Sequence, residues 1–255
     1  MRVMRNNYCD LATTVLTAAS QSADLPVANI VHPHRTKVYR TLNTIANEYI
    51  RFDLGSAMAV QCVILLDHTL TASDTTIKLQ GGATEGATTV DAVIVFNAGT
   101  MVLFLPSPQT YRYWQIIFTK SASGETRDIG RVYLGPFDEY ALAPAQPDGL
   151  TITPVDLSNT SRALGGQSYS EIKGQYDEIG MEFPGAVSET QTGQMIALAA
   201  ACGTHTPFFI SIDQTNKPYD WLYYCKAKKL TARKVKLKNG ATILWDASLE
   251  VDEQL

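Results

Sequence analysis

From residue 49 to about residue 134, apolar and polar positions follow the two-residue period of strands that bury one face. Residues 49–54 alternate, a tight turn is expected at Leu54-Gly55-Ser56, and residues 60–66 form an apolar run suited to a strand covered on both sides. Further strands are predicted over 75–80, where Ile77 and Leu79 share a face, and over 92–96, 100–105 and 112–119, rich in Val, Ile, Phe, Tyr and Trp. Gly81-Gly82, Asn97-Ala98-Gly99 and Pro106-Ser107-Pro108 punctuate them. Many short strands without a helical period between them predict a sandwich or jelly roll.

The pattern changes after "IGRVYLGPFDEY". Residues 141–149, "ALAPAQPDG", hold two prolines and little apolar bulk, which makes them the expected linker. Beyond it, residues 151–155, 174–183, 207–213 and 221–225 read as strands. One helix is predicted over about 189–202: Ser188 and Gln191 have capping-box spacing, Met195, Leu198, Ala199 and Cys202 share a face, and Gly203 suits the residue past the last turn. Alternation over 234–244 around Asn239-Gly240 predicts a two-residue hairpin. The expected class is mainly β: a sandwich over 1–140 with a lead-in at 1–28, then a β-rich domain with one helix over 150–255.

At 255 residues, 45% apolar, 18% charged and a formal charge of -4, the chain has a globular composition that demands neither nucleic acid nor a membrane surface as partner. The N-terminal apolar stretch is broken by Asn6, Asn7 and Asp10, so secretion through a signal peptide is not expected, and no run approaches the ~20 apolar residues of a membrane-spanning helix. Cys9, Cys62, Cys202 and Cys225 lack metal or redox spacing and are expected as buried free thiols.

Candidate chemistry is sparse. HExxH, GxSxG and EF-hand patterns are absent, and "GGATEG" at 81–86 lacks the Lys-Ser/Thr of a phosphate loop. His32, His34 and Arg35 form the densest polar cluster; it suits a metal, a glycan or anion at a loop tip, or a loop without ligand. His68 and Asp74, after the apolar run, are further ligand candidates. Asp177, Glu178 and Glu182 lack a recognisable catalytic partner, so no enzyme, cofactor or resident metal is expected. Seven basic residues lie between Lys226 and Lys238; Lys234, Lys236 and Lys238 alternate with Val235 and Leu237, as a solvated strand face or a contact for an acidic neighbour. Phe208, Phe209 and Trp221 are expected in the sheet core or at a contact between copies.

Asn29-Ile30, Tyr39-Arg40-Thr41, Asp53-Leu54-Gly55, His68-Thr69-Leu70 and Tyr111-Arg112-Tyr113 together resemble the discoidin-like, galactose-binding-type jelly roll. With "IGRVYLGPFDEY", "GGQSY", "SETQTGQMIALAAACG" and "TPFFISID", the whole chain resembles minor tail or distal tail-tip proteins of tailed bacteriophages. That resemblance implies a structural virion subunit, assembled in the host cytoplasm, whose tail-hub-type second domain joins copies in a ring beside neighbouring tail proteins. Its jelly roll is then held outward toward host surface glycans. The alternative is a stand-alone carbohydrate-binding module or adhesin of bacterial origin.

Overall fold

Ile50, Phe52 and Leu54 point into a core while Tyr49, Arg51 and Asp53 face outward, as the alternation predicts. The computed structural model describes residues 1–121, 124–140, 149–162, 164, 166–187, 189–236 and 243–254. In chain order the strands are β1 (Arg2–Met4), β2 (Val15–Ala18), β3 (Tyr39–Arg40), β4 (Asn47–His68), β5 (Thr75–Gly82), β6 (Val90–Val93), β7 (Gly99–Thr119), β8 (Asp128–Ile129), β9 (Val132–Gly135) and β10 (Asp138–Glu139). They continue as β11 (Leu150–Asp156), β12 (Asn159–Arg162), β13 (Ser168–Glu171), β14 (Gln175–Val187), the helix α1 (Glu189–Cys202), β15 (Phe208–Ser211), β16 (Leu222–Lys236) and β17 (Ile243–Glu253). The chain is mainly β with a single α-helix among the described residues.

The chain divides into two units, Asn6–Asp138 with Pro218–Asp220, and Met1–Arg5 with Glu139–Lys217 and Trp221–Leu255. This corrects the expected lead-in: its first residues form β1, which pairs antiparallel with β15 (Val3 opposite Ile210) in the C-terminal sheet. A pairing across some two hundred residues leaves no local pattern to read. Of the predicted linker, residues 141–148 lie outside the described residues.

In the N-terminal unit the sheet order is β2-β4-β7-β5-β6, with β9 also on β4. The turn expected at Gly55 is instead a bulge inside one continuous strand. Leu54, Gly55, Ser56 and Ala57 lie between the paired residues Asp53 and Met58, opposite Arg112 alone, and Gly55 takes φ 76°. Pro106 and Pro108 likewise lie within β7, in a second bulge between Phe104 and Gln109, where no ladder donor is needed. The two bulges bend the β4–β7 ribbon, so that Ile50 and Phe52 from one half share a core with Val63 and Leu65 from the other, around Trp114, Ile116 and Phe118. The result is sandwich-like.

The C-terminal unit is a seven-stranded sheet, β10-β1-β15-β16-β17-β14-β11. Met195, Leu198 and Cys202 of α1 are buried in one core cluster with Ile179, Met181, Phe208, Ile210 and Val251, and Gly203 ends the helix at φ 53° with its amide on Ala199 O, 2.8 Å away. The capping residue Ser188 falls outside the described residues, as does the Asn239-Gly240 turn; the strands flanking that turn pair antiparallel, Lys236 opposite Ile243. All four cysteines are buried and none forms a disulfide.

Candidate functional site

The end of the N-terminal sandwich where β4 stops and β7 starts is built from three loops. A 3-10 turn over Val27–Val31 stops at His32, and Asn29 Nδ2 donates to Val38 O (2.9 Å), closing the loop between them. His32 Nδ1 accepts from the His34 amide at 3.1 Å, and the two imidazoles stack with centroids 5.1 Å apart. Next to them Arg35 reaches across to Asp67 in a bidentate pair, both contacts at 2.7 Å. Asp67 has φ 55°, a backbone region that costs a non-glycine residue energy unless its surroundings hold it there. The Arg35 fork is one such restraint.

His68 follows directly but turns inward. Its Nε2 hydrogen-bonds Asn97 O at 2.9 Å, its ring meets Phe96 edge-on, and burial lowers its pKa from the ordinary histidine value. Asp74 lies deeper. Its carboxylate accepts from the amides of Thr71 and Ser121, both at 2.8 Å, and from Arg127 Nε (2.7 Å) and Nη2 (3.0 Å). Burial pushes that carboxyl up, but these donors together outweigh it and hold it at about 2. Asp74 therefore fastens two loops together inside the protein, its carboxylate engaged by four donors, and His68 is buried likewise.

The structure thus brings together His32, His34 and Arg35, adds Asp67, and sets His68 and Asp74 apart as framework. Asp67 had no signal in the sequence, because its role depends on a partner 32 positions away and on a backbone angle. The arrangement is a rim of imidazole, guanidinium and carboxylate on a rigid scaffold, able to donate and accept hydrogen bonds at neutral pH. Among the described residues, no three His, Cys, Asp or Glu side chains converge as a metal site.

In the C-terminal unit, Phe208 lies in the core and Phe209 is buried with its ring 4.8 Å from that of Tyr224, while Trp221 packs on the core's margin. Phe208 and Phe209 therefore take the core alternative, with their rings enclosed within the chain, whereas Trp221 is only partly covered. Lys234 and Lys236 stand opposite Trp245 and Ile243 in the β16–β17 ladder, and their side chains lie outside the described residues. Exposed apolar side chains occur elsewhere, on an arm that the polar sequences "NTSR" and "SYSE" did not announce. β12 and β13 pair only with each other, all their residues are exposed, and Leu157, Leu164, Tyr169 and Ile172 are open to solvent on or beside them.

No protein-family model matches the chain, and no curated protein matches it in sequence. Among solved structures it is similar to chitosan-binding module 1 of a chitosanase/glucanase from Paenibacillus sp. IK-5, at 17% identity and a TM-score of 0.43, covering 51% of this chain and 99% of that one. It is similar to the family 32 carbohydrate-binding module of Clostridium perfringens NanJ, solved with galactose (12%, TM-score 0.41, 54% and 100%). A Streptococcus pneumoniae fucose-binding module is a further match (13%, TM-score 0.40, 51% and 95%).

Proposed function

We propose that this chain is a non-enzymatic structural subunit of a phage tail tip, which assembles through its C-terminal unit and presents its N-terminal sandwich to glycans on the host surface. The observation that carries the glycan contact is the Arg35–Asp67 fork beside the stacked His32 and His34 rings. A sugar's adjacent hydroxyls each need a donor and an acceptor at fixed spacing, and planar side chains already locked to each other supply both with little further loss of entropy. The apolar arm at β12–β13 supports the assembly role, since an isolated two-stranded hairpin is marginal in water and is stabilised by packing on something else. Copies held in a ring would convert weak single contacts into useful avidity.

The test combines the mass of the full chain in solution with binding to a glycan array. A closed oligomer whose array signal falls in Arg35→Ala supports the proposal. A lasting monomer that binds glycans favours the stand-alone module or adhesin, and a monomer that binds none overturns both roles.

A further inference from the structure

The outer face of the N-terminal sheet carries a row of polar side chains that the loop end does not use. Thr17, Arg51, Gln115, Gln80 and Asp91 stand opposite one another on β2, β4, β7, β5 and β6. They are chained by hydrogen bonds: Arg51 Nε donates to Gln115 Oε1 (2.9 Å), Gln115 Nε2 to Gln80 Oε1 (2.7 Å), and Gln80 Nε2 to Asp91 Oδ1 (2.9 Å). Gln80 and Gln115 are buried, so the chain is rigid where it holds Arg51. The Arg51 guanidinium also lies 3.9 Å from the centroid of the Tyr49 ring.

Beside Arg51 a cleft of about 130 Å³ opens, lined by Val15, Thr17, Arg51, Asp53, Glu85 and Tyr113 among others. Its charges cancel in pairs. Arg51 Nη1 donates to Glu85 Oε1 at 2.7 Å, and Arg112 forks onto Asp53 at 2.6 and 2.8 Å. Each lining carboxylate is already paired with a guanidinium, Glu85 with Arg51 in the lining and Asp53 with Arg112 just outside it, so net charge favours neither an anion nor a cation. Hydrogen-bonding capacity remains nevertheless. Among the described residues Arg51 Nη2, Glu85 Oε2 and the hydroxyls of Thr17 and Tyr113 have no protein partner. Donor and acceptor therefore stand side by side on the Arg51–Glu85 pair, next to the Tyr113 ring and the exposed Val15 side chain, which offer an apolar wall.

A small, charge-balanced cleft with adjacent donor and acceptor and one aromatic wall matches a ligand that is uncharged, dense in hydroxyls and apolar on one face. We propose that this sheet-face cleft binds a single neutral pyranose unit, as a saccharide subsite separate from the loop end. The two subsites share no residue, so either can fail without the other. Both on one unit would let it hold two points of one glycan or two neighbouring chains.

The test uses the full chain, isotope-labelled, titrated with the methyl glycosides of glucose, galactose, fucose, N-acetylglucosamine and N-acetylgalactosamine to tens of millimolar. At least one should shift the amide signals of Thr17, Arg51, Gly86 and Tyr113, with a dissociation constant on the order of 1 mM. Thr17→Trp, at an exposed strand position that tolerates an aromatic, should fill the cleft and weaken that binding by roughly tenfold or more while leaving shifts near His34 and Gly99 in place. Glu85→Gln, which removes the acceptor charge on a surface loop, should weaken it by a smaller factor. Absence of shifts at the cleft with every glycoside, or cleft binding unchanged in Thr17→Trp, overturns the proposal. Loss of shifts at the loop end alone would instead count against the loop-end reading.

Discussion

Lys120 and Glu48 form an ion pair, 3.1 Å from Nζ to Oε1, with neither side chain reaching solvent. The pair lies where the start of β4 meets the end of β7. Ser20 Oγ donates to both Glu48 oxygens at 2.8 and 3.0 Å, and Lys120 Nζ also donates to Leu42 O at 2.5 Å. Burial pushes the Glu48 carboxyl up, while Ser20 and Lys120 pull the other way. Three separate stretches are thereby held by one charged centre.

Lys120→Ala should destabilise the N-terminal unit by about 3–5 kcal/mol, because it leaves a carboxylate buried without its cation. Lys120→Met combined with Glu48→Gln removes both charges and should cost less than the two single changes added together. Urea unfolding of the parent, Lys120→Ala, Lys120→Met, Glu48→Gln and the double variant checks this; additive losses in the last three would mean that the two side chains do not interact.

A second buried pair gives a pH dependence with a definite sign. Asp74 is held at about 2, below the ordinary 3.8, by Arg127 and two amides. A carboxyl with a lowered folded-state pKa contributes stability that is present above 3.8 and is lost as the pH falls through about 2. That contribution is on the order of 2 kcal/mol for an aspartate wholly enclosed. Asp74→Asn should be less stable at neutral pH and should show a flatter decline between those values, measured by thermal melting across the acid range.

Gly81-Gly82 has the sequence signature of a break between strands, yet Gly81 lies inside β5 directly opposite Trp114. A Cβ placed on it would stand 2.6 Å from Trp114 Cε3. The missing side chain is what lets the indole lie flat in the core. Gly81→Ala should therefore destabilise by roughly 1–3 kcal/mol through overpacking, and Gly81→Val by more. A Gly81→Ala protein as stable as the parent would mean that Trp114 has another place to go.

These cases mark what the sequence made legible. Inward positions such as Ile50, Phe52 and Leu54, and the helical stripe of Met195, Leu198 and Cys202, are local patterns whose period follows from backbone geometry, and the structure reproduces them. Pairing over long separations has no such signature. β1 on β15, Arg35 on Asp67, Arg51 on Glu85 and Arg127 on Asp74 each depend on a fold already formed. The loop end was half visible for this reason: its histidines stand close together in the chain, whereas Asp67 joins them only in space. The prolines of β7 misled in the opposite direction, because a bulge absorbs them without ending the strand.

The arm at β12–β13 offers the sharpest test of assembly. Both strands are exposed along their length, and Leu164 and Ile172 stand almost wholly in solvent, where apolar groups gain nothing by themselves. Burying such side chains against a partner contributes about 1.5–3 kcal/mol each. Leu164→Glu with Ile172→Glu should therefore leave unfolding of the single chain within about 0.5 kcal/mol of the parent, as surface changes do. The same pair of substitutions should lower the oligomeric mass measured by sedimentation, because a carboxylate at either position cannot be buried without a cation. An unchanged mass would leave the arm without a role in joining copies and would count against the proposed assembly through it.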